Sequence, residues 1–205
     1  MQQEQKYISS YCTIQNNVMV LNGEKVLDGK ELSFPDFAKK VYQFHETDYP
    51  KFFKMDNLSK LAFLASDVIL NNELHRDGEG NVALLFANRS SSLDTDIKFQ
   101  DSINDRESYY PSPAVFVYTL PNICLGEISI RHKLFTENSF FIFEAFNPSF
   151  FANYAGTLLD THKAKKVLCG WVEFFKDDYK AFMYMVSKEG NLVHTAENIQ
   201  TLYNK

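Results

Sequence analysis

Hydrophobic positions recur with the period of a helix in two early parts of the chain. Between positions 58 and 69 the apolar residues fall three or four apart, at Leu58, Leu61, Ala62, Ala65, Val68 and Ile69. These side chains share one helix face, and Asp56 or Asn57 lies where a capping residue would begin the first turn. The same period over Phe34–Phe44, with Pro35 near its start, predicts an earlier helix at the surface.

Other segments are rich in the β-branched and aromatic residues that favour strands. Tyr7–Ile14 and Val82–Phe86 each predict one strand. Val167–Glu173 and Ala181–Val186 predict two more. The charged residues 176–178 between them predict a turn, so we expect these two strands to pair antiparallel.

Small and polar residues mark connections and two motifs with competing explanations. Asn22–Ser33 is interpreted as a turn-rich connection, and 104–110 as a loop. Gly78 and Gly80 favour a turn over a phosphate-binding loop, because neither a helix nor a lysine–serine ending follows them. Three consecutive serines, 90–92, precede LDTDIKFQDSI, where they favour capping of a helix over nucleophilic chemistry.

The stretch Ser112–Phe146 changes from a helical pattern to a strand-like one. Pro121–Asn122 predicts the start of a helix, since proline is tolerated in a first turn. Residues 139–146 then read SFFIFEAF, which is typical of a strand covered on both faces within a sheet or at a subunit interface. Asn147–Pro148 predicts the start of another helix, and Thr195–Tyr203 predicts a short one capped by Thr195.

The helix that follows Pro121 has an apolar face and several polar positions. Leu125, Ile128 and Leu134 fall near one face. Glu127, Arg131 and Lys133 are left for the other faces. Gly126 lies inside the helix, where glycine is unfavourable, so we expect the backbone of another element to approach it closely.

Composition narrows the class of protein. A chain of 205 residues with 45% hydrophobic residues fits a single domain, here taken as 1–205. A net charge of −5 offers no attraction to nucleic acid. Cys12, Cys124 and Cys169 are odd in number and lack the spacing of a metal site, which indicates a reducing cytoplasm without a disulfide framework. No apolar run is long enough to span a bilayer, so we expect a soluble cytoplasmic protein. Because the cysteines lack metal-site spacing, we also expect no bound metal.

The run SPAVFVYTLPNICLGEISI, residues 112–130, resembles a segment of β-ketoacyl synthases, members of the thiolase-like superfamily. In that family an S-P-x-x-F loop leads into a P-N-x-x-x-G-x-[IL]-[ST]-I helix. The resemblance covers only the N-terminal half of a ketosynthase. It implies an α/β protein with the thiolase-like layered α/β/α fold, a single N-terminal half with a mixed five-stranded sheet, and one β-ketoacyl synthase N-terminal-like domain over 1–205. It implies no cofactor.

The resemblance also locates a missing catalytic group. In the family the strand after this helix ends at the nucleophilic cysteine. Ungapped counting from Asn122, and backward from the G-G-x-E-like segment that ends at Glu173, places that position on Ala145, and one inserted residue places it on Phe146. Neither side chain can attack a thioester. The family's Gly-Pro pair is replaced by Glu137 and Asn138.

The remaining candidate catalytic residues receive structural interpretations. The family's two catalytic histidines belong to the second half, to which nothing in this chain corresponds. The five histidines here are interpreted as structural or solvated: His45, His75, His132, His162 and His194. Cys124 is interpreted as a small buried filler rather than a substitute nucleophile, and Cys169 likewise.

The resemblance therefore implies a non-catalytic subunit similar to a chain length factor. It would pair with a full-length ketosynthase in fatty acid, polyketide or aryl polyene synthesis, meet an acyl carrier protein indirectly, and restrict the acyl tunnel. The candidate tunnel residues are Phe116, Thr119, Ala145 and Phe146. The residues expected in a strand shared across a dimer axis are Ser139, Phe140, Phe141, Ile142 and Phe143.

Two other functions stay open from the sequence. One is a surviving acyl-transfer activity that uses Cys124 or another residue. The other is a homodimeric scaffold that binds carrier protein or lipid. A strand 139–143 buried within one monomer is likewise an alternative to a strand at an interface.

Overall fold

The computed structural model describes residues 4–77, 80–105, 107, 109–176 and 178–205, without the side chains of 74–77. One sheet runs through this part of the chain. Its eight strands are β1 (Tyr7–Gln15), β2 (Val18–Leu21), β3 (Glu24–Asp28), β4 (Val82–Asn88), β5 (Asn138–Ile142), β6 (Lys166–Phe175), β7 (Asp178–Ser187) and β8 (Leu192–Val193). The order across the sheet is β3-β2-β1-β7-β6-β4-β5, and β8 pairs with β1.

Helices cover both faces of the sheet. They are α1 (Phe34–Phe44), α2 (Asn57–Asp77), α3 (Leu93–Asp101), α4 (Pro113–Phe116), α5 (Ile123–His132), α6 (Pro148–Asp160) and α7 (Ala196–Tyr203). One core cluster joins α1, α2 and α5 to one face of the sheet, and a second joins α6 and α7 to the other face. Successive residues of β4 and β6 alternate between the two clusters, because side chains of a strand point to opposite faces.

The expected layered α/β/α architecture and mixed sheet are confirmed. Strand β4 runs parallel to β5 and β6, whereas the pairs β6–β7, β7–β1, β1–β2 and β2–β3 are antiparallel. The five strands predicted from the sequence form the continuous block β1-β7-β6-β4-β5. The sheet is wider than expected because β2, β3 and the short β8 add to that block.

The hairpin β2–β3 corrects the interpretation of Asn22–Ser33 as a connection without strands. Two tight turns bring β1, β2 and β3 together, the first at Asn16–Asn17 and the second at Asn22–Gly23. All four turn residues have positive φ, between 51° and 89°, as the favoured two-residue hairpin turns require. Asparagine and glycine tolerate that backbone region better than other residues.

Most predicted helix starts are confirmed by capping bonds. The backbone N–H of Asp36 donates to Ser33 Oγ over 3.3 Å at α1, and that of Ser59 donates to Asp56 Oδ1 over 2.9 Å at α2. Asn147 Oδ1 accepts from Phe150 N over 3.0 Å at α6, and Thr195 Oγ1 accepts from Asn198 N over 3.2 Å at α7. These bonds satisfy backbone donors that have no partner within a first helical turn.

Two expectations for α5 are wrong. Nothing among the described residues lies within 4 Å of a Cβ built on Gly126, and the residue is exposed, so none of the described elements approaches its backbone. Glu127, assigned to a face away from the apolar one, is nevertheless buried. Its carboxylate accepts hydrogen bonds from the hydroxyls of Tyr49, over 3.2 Å, and Tyr118, over 3.3 Å, and pairs with Lys51 Nζ at 2.9 Å.

Some expectations fall outside the described residues. Gly78 and Asp177 belong to this group, as do the side chain of His75 and parts of the loop 104–110. Gly80 is described, and it lies in the connection before β4, where a strand rather than a helix follows it. The turn predicted at Gly78 and Gly80 stays a prediction.

Candidate functional site

The candidate site lies where the parallel strands end. Strands β4, β5 and β6 are neighbours that run in the same direction, so their carboxyl ends meet at one edge of the sheet. Segments that follow such ends are the usual place for ligand sites in α/β sheets. Here they bring together Arg89 after β4, 143–147 after β5 and Glu173 near the end of β6.

Ala145 and Phe146, the predicted nucleophile positions, lie between β5 and α6. Ala145 is exposed and Phe146 is half-buried. Asn147 caps α6 directly after them, which places the partial positive charge of the helix N-terminus beside this position. Neither residue carries an atom that can form a covalent acyl intermediate.

Phe146 packs into an aromatic cluster instead of leaving space for a substrate. Its ring stacks on Tyr203 of α7, with centroids 4.2 Å apart and planes at 21°. It also meets Phe151 at 5.4 Å, Phe182 at 5.8 Å and Trp171 at 5.9 Å. Helix α7 thereby closes one side of the site.

A cavity of about 430 Å³ opens next to this cluster. Phe146, Trp171 and Tyr203 form an aromatic wall, and Ala145 lines it as well. The rest of the wall is mostly charged or carries amides. Among the described residues that line it there is no Cys, Ser, Thr or His side chain. In the isolated chain the described lining therefore offers no thiol and no aliphatic hydroxyl as a nucleophile, and it forms no continuous apolar tunnel. The hydroxyl it does carry is the phenol of Tyr203.

Glu173 fixes the loop that borders the cavity. One carboxylate oxygen, Oε2, accepts the backbone N–H of Arg89 over 2.7 Å and that of Ser90 over 3.2 Å. The turn is held further by Asn88, whose side chain accepts from Ser91 N over 2.9 Å and donates to Ser91 O over 2.8 Å. These bonds position the end of β4 against the end of β6.

The serines 90–92 have structural roles that differ from the expected cap. Ser92 occupies the N-cap position of α3, but its side chain makes no capping bond. Its hydroxyl lies 2.7 Å from the carbonyl oxygen of Thr119 and 3.1 Å from Asp96 Oδ1, both of which can accept from it. Ser92 thus ties α3 to the segment after α4, and no histidine accompanies it as a base in a hydrogen bond within the described residues.

Phe116 and Thr119, the other two tunnel candidates, lie apart from the cavity. Phe116 ends α4, is 59% exposed and packs on Phe99 of α3 with centroids 5.2 Å apart. Thr119 is half-buried, and its hydroxyl donates to Phe116 O over 2.8 Å. Neither lines the cavity beside Ala145, so the structure does not bring the four candidate residues together in one pocket of this chain.

The expected dimer strand is an edge strand. Among the described residues, β5 pairs on one side with β4 and has no strand on its other side. Phe141 and Phe143 both pack on Phe150 of α6, with centroids 4.8 Å apart in each case. Phe140 packs against the opposite core cluster. Ser139 is half-buried, and Ile142 is 49% exposed. The strand is thus not buried within one monomer.

The cysteines are free, buried thiols, in agreement with their interpretation as fillers. Cys12, Cys124 and Cys169 have no solvent exposure and form no disulfide. Burial raises the pKa of all three thiols, that of Cys169 to about 12. Because the thiolate is the reactive form, this environment disfavours acyl transfer from Cys124.

The histidines are more buried than their charged or loop contexts indicated. His132 Nε2 lies 2.9 Å from Asp67 Oδ1, and both side chains are almost fully buried. Burial and the charge of Lys6 lower the pKa of His194 to about 4. Burial lowers the pKa of His45. His162 is exposed. None of these four lines the cavity beside Ala145, which agrees with a structural or solvated role.

Sequence reasoning missed the residues that reach the site from distant parts of the chain. Lys180 Nζ donates to the carbonyl oxygen of Tyr203 over 2.7 Å and lies 3.9 Å from the centre of its ring. Gln15 and Gln200 also line the cavity. No local motif marks these positions, because they meet only through the pairing of β1, β6 and β7 and the packing of α7.

Two general classes of feature are absent from the described part of the chain. No group of three or more His, Cys, Asp or Glu side chains there is arranged to hold a metal ion. None of the described helices combines the length and apolar character needed to cross a membrane.

Comparisons with known proteins identify the fold. Neither the scan against protein-family models nor the search of curated proteins gives a match. Among solved structures, the ishigamide ketosynthase/chain length factor matches with a TM-score of 0.63 at 18% identity, over 89% of this chain and 62% of that one. A chain in the complex of a ketosynthase with its chain length factor from Xenorhabdus doucetiae matches with a TM-score of 0.59 at 13% identity, over 98% and 90%.

A β-ketoacyl synthase from Burkholderia phymatum matches with a TM-score of 0.58 at 11% identity, over 91% of this chain and 59% of that one. The chain thus has the thiolase-like fold of ketosynthases and chain length factors, which confirms the resemblance drawn from the sequence. It spans about three fifths of the first and third of these structures, and nine tenths of the second.

Proposed function

We propose that this protein is a non-catalytic subunit, similar to a chain length factor, that pairs with a full-length ketosynthase in fatty acid, polyketide or aryl polyene synthesis. The observation that carries the proposal is the side-chain chemistry of Ala145 and Phe146 after β5, the positions at which the family's cysteine is expected, because neither carries a nucleophilic atom. The described residues that line the cavity beside them include no Cys, Ser or Thr. The matched complexes of ketosynthases with chain length factors support a paired arrangement.

The open edge of β5 is the surface proposed for pairing. Phe143 N donates to Asn88 O over 2.9 Å, and Leu84 N donates to Glu137 O over 3.0 Å. Ladder bonds to a parallel neighbour alternate along a strand, so the odd-numbered residues face β4. The backbone N–H and C=O groups of Phe140 and Ile142 then point to the open edge, ready to pair with a strand of another chain.

The function proposed for the pair is steric. Phe146, held in its aromatic cluster, would block entry of an acyl chain at the former nucleophile position. Phe116 and Thr119 would face the tunnel only where the partner completes it, since they lie outside the cavity of the isolated chain. The acyl carrier protein would dock on the active partner. Residues 1–205 would act as one domain in the cytoplasm, where three free cysteines stay reduced.

Co-expression with candidate ketosynthases tests the proposal. We expect a stable complex whose product length shifts when Phe146 is replaced by Ala. Ile142→Pro removes a backbone donor from the open edge and should abolish co-purification, whereas Ile142→Ala keeps that donor and should preserve most of it. A stable monomer that changes product length in no pairing would contradict the proposal.

The same edge strand also fits a second copy of the chain, which favours a homodimeric scaffold as the alternative function. Analytical ultracentrifugation of the isolated protein distinguishes the two. Self-association sensitive to Ile142→Pro, without any complex with a ketosynthase, would favour the scaffold.

A further inference from the structure

The cavity beside Ala145 has an unbalanced set of charges. The carboxylates of Glu144, Glu173 and Asp178 line it, against the cations of Arg89 and Lys180. Phe146, Trp171 and Tyr203 form its aromatic wall. Its volume of about 430 Å³ suits a small organic cation.

Glu173 is the buried acceptor of this cavity. The residue is 8% exposed, and Oε2 is used by the backbone of Arg89 and Ser90. The other oxygen, Oε1, is buried and has no hydrogen-bond partner among the described residues. A buried carboxylate oxygen without a donor is unfavourable, so a donor that reached it would be bound.

The cation closest to Glu173 in the sheet, Lys180, interacts with Tyr203 instead. Lys180 is the direct cross-strand neighbour of Glu173, yet its Nζ donates to Tyr203 O and lies over the Tyr203 ring. Phe146 covers the other face of that ring. The aromatic surface left for a ligand is therefore that of Trp171 and Phe146 rather than a face of Tyr203.

We propose that this cavity binds an alkylguanidinium or alkylammonium group, with Glu173 Oε1 accepting its N–H donors and the aromatic wall contacting its apolar stem. A charge-assisted hydrogen bond and aromatic contact are the two interactions that favour such a cation. Because Oε1 is covered in the isolated chain, a wall side chain must shift to admit the donor. Arg89 is the exposed cation at the rim.

A titration with ethylguanidinium chloride at constant ionic strength tests the site. Trp171 is the single tryptophan of the chain and lines the cavity, so its fluorescence reports occupancy directly. We expect saturable binding in the millimolar range, and isothermal calorimetry should give the same constant. Ethylurea has a similar shape without the charge and should bind at least about tenfold more weakly. Equal affinity for the two compounds, or no saturable signal in either measurement, would overturn the proposal.

Two matched substitutions locate the acceptor. Glu173→Gln keeps a carbonyl oxygen for the backbone of Arg89 and Ser90 but replaces the free acceptor with an amide donor. It should weaken binding by about tenfold or more. Glu144→Gln removes a charge of the same sign from an exposed position and should change affinity less than about threefold. Equal effects of the two substitutions would overturn the assignment to Glu173.

A third variant tests the site independently, in case Glu173→Gln does not fold. Lys180→Met removes a like charge from the cavity while keeping an apolar stem, so it should tighten ethylguanidinium binding. Unchanged or weaker binding would contradict the proposal. Binding seen only after Arg89→Ala would show that Arg89 fills the site from within the chain, and would also overturn it.

The source of the cation is a separate question with its own measurement. A cavity that takes a free metabolite should still respond to ethylguanidinium when the protein is bound to a ketosynthase. A cavity that takes an arginine or lysine side chain of the partner should lose that response in the complex, and Glu173→Gln should then weaken pairing. The titration of the isolated protein depends on neither outcome, so it stands apart from the proposed pairing.

Discussion

Asp67 shows how this chain accommodates charge in its interior. The side chain lies in α2 and accepts from Thr47 Oγ1 over 3.2 Å and from Asn71 Nδ2 over 3.0 Å. Its other oxygen contacts His132 at 2.9 Å and Arg131 at 3.4 Å. Burial alone would raise the pKa of Asp67, but His132 and Arg131 outweigh it and lower the pKa below 3.8. The cluster joins α2, α5 and the loop after α1 through charge-assisted bonds.

His194 predicts a measurable loss of stability on mild acidification. Its folded-state pKa of about 4 lies below the value of 6.5 expected for the unfolded chain. Between these pH values the unfolded chain binds a proton that the folded chain does not, so the free energy of unfolding falls as pH drops from 6.5 to 4. The contribution is at most about 1.4 kcal/mol per pH unit. Urea denaturation at several pH values measures it.

His194→Gln should flatten the slope of the free energy of unfolding against pH. His162→Gln, at an exposed position, controls for the loss of a histidine. Asp67 contributes in a lower pH range, since the stabilisation from a lowered carboxyl pKa is present above 3.8 and is lost only as pH falls below it. An unchanged slope in His194→Gln would show that the ring is solvated in the folded protein.

Two glycines predict opposite effects within their elements. A Cβ at Gly126 meets no described atom within 4 Å, so Gly126→Ala should stabilise α5 by about 1 kcal/mol and raise the Tm by about 2–4 °C. A Cβ at Gly170 in β6 would collide with the side chain of Met183 and crowd Phe86. Gly170→Ala should therefore destabilise the protein by about 1–3 kcal/mol. Differential scanning calorimetry of the isolated chain measures both changes in Tm. A lower Tm for Gly126→Ala would contradict this prediction and would indicate that another element does approach Gly126 closely, as the sequence analysis expected.

Elements whose ends carry local signals could be predicted from the sequence. Phe34–Phe44 has its cap and proline beside it, and Asn147–Pro148 marks the start of α6, so both boundaries agree with the structure. The hairpin β2–β3 was missed because its strands have only four and five residues. Its Asn22–Gly23 turn was visible in the sequence and is a strong hairpin signal when flanking strands are considered.

Buried polar residues and the cavity could not be predicted from local patterns. Helical periodicity only places Glu127 away from the apolar face, and its burial was missed because the partners that satisfy it, Tyr49 and Tyr118, come from other segments. The nucleophile position, placed on Ala145 or Phe146 by counting forward from Asn122 and backward from Glu173, stays a prediction. The neighbours that give the site its charge, such as Lys180, depend on sheet pairing that spans the chain.

At the scale of the whole molecule, the buried thiols predict how the protein reacts with thiol reagents. Cys12, Cys124 and Cys169 come from β1, α5 and β6, so their joint exposure requires disruption of the whole layered structure. Labelling with Ellman's reagent should be more than about a hundredfold slower in buffer than in denaturant, where three thiols should react. A thiol that reacts rapidly in the native protein would contradict this prediction and would favour acyl transfer as the function.

The place of β1 in the sheet has a consequence for how the chain is made. Tyr7–Gln15 pairs along its length with Asp178–Ser187, which follows it by roughly 170 positions in the sequence. During translation the hairpins formed by β1, β2 and β3 therefore emerge with one edge of β1 unpaired. That edge stays unpaired until β7 has been synthesised. Translation that pauses after α6 would leave an incomplete sheet, and such nascent chains should be frequent clients of chaperones that shield exposed strands.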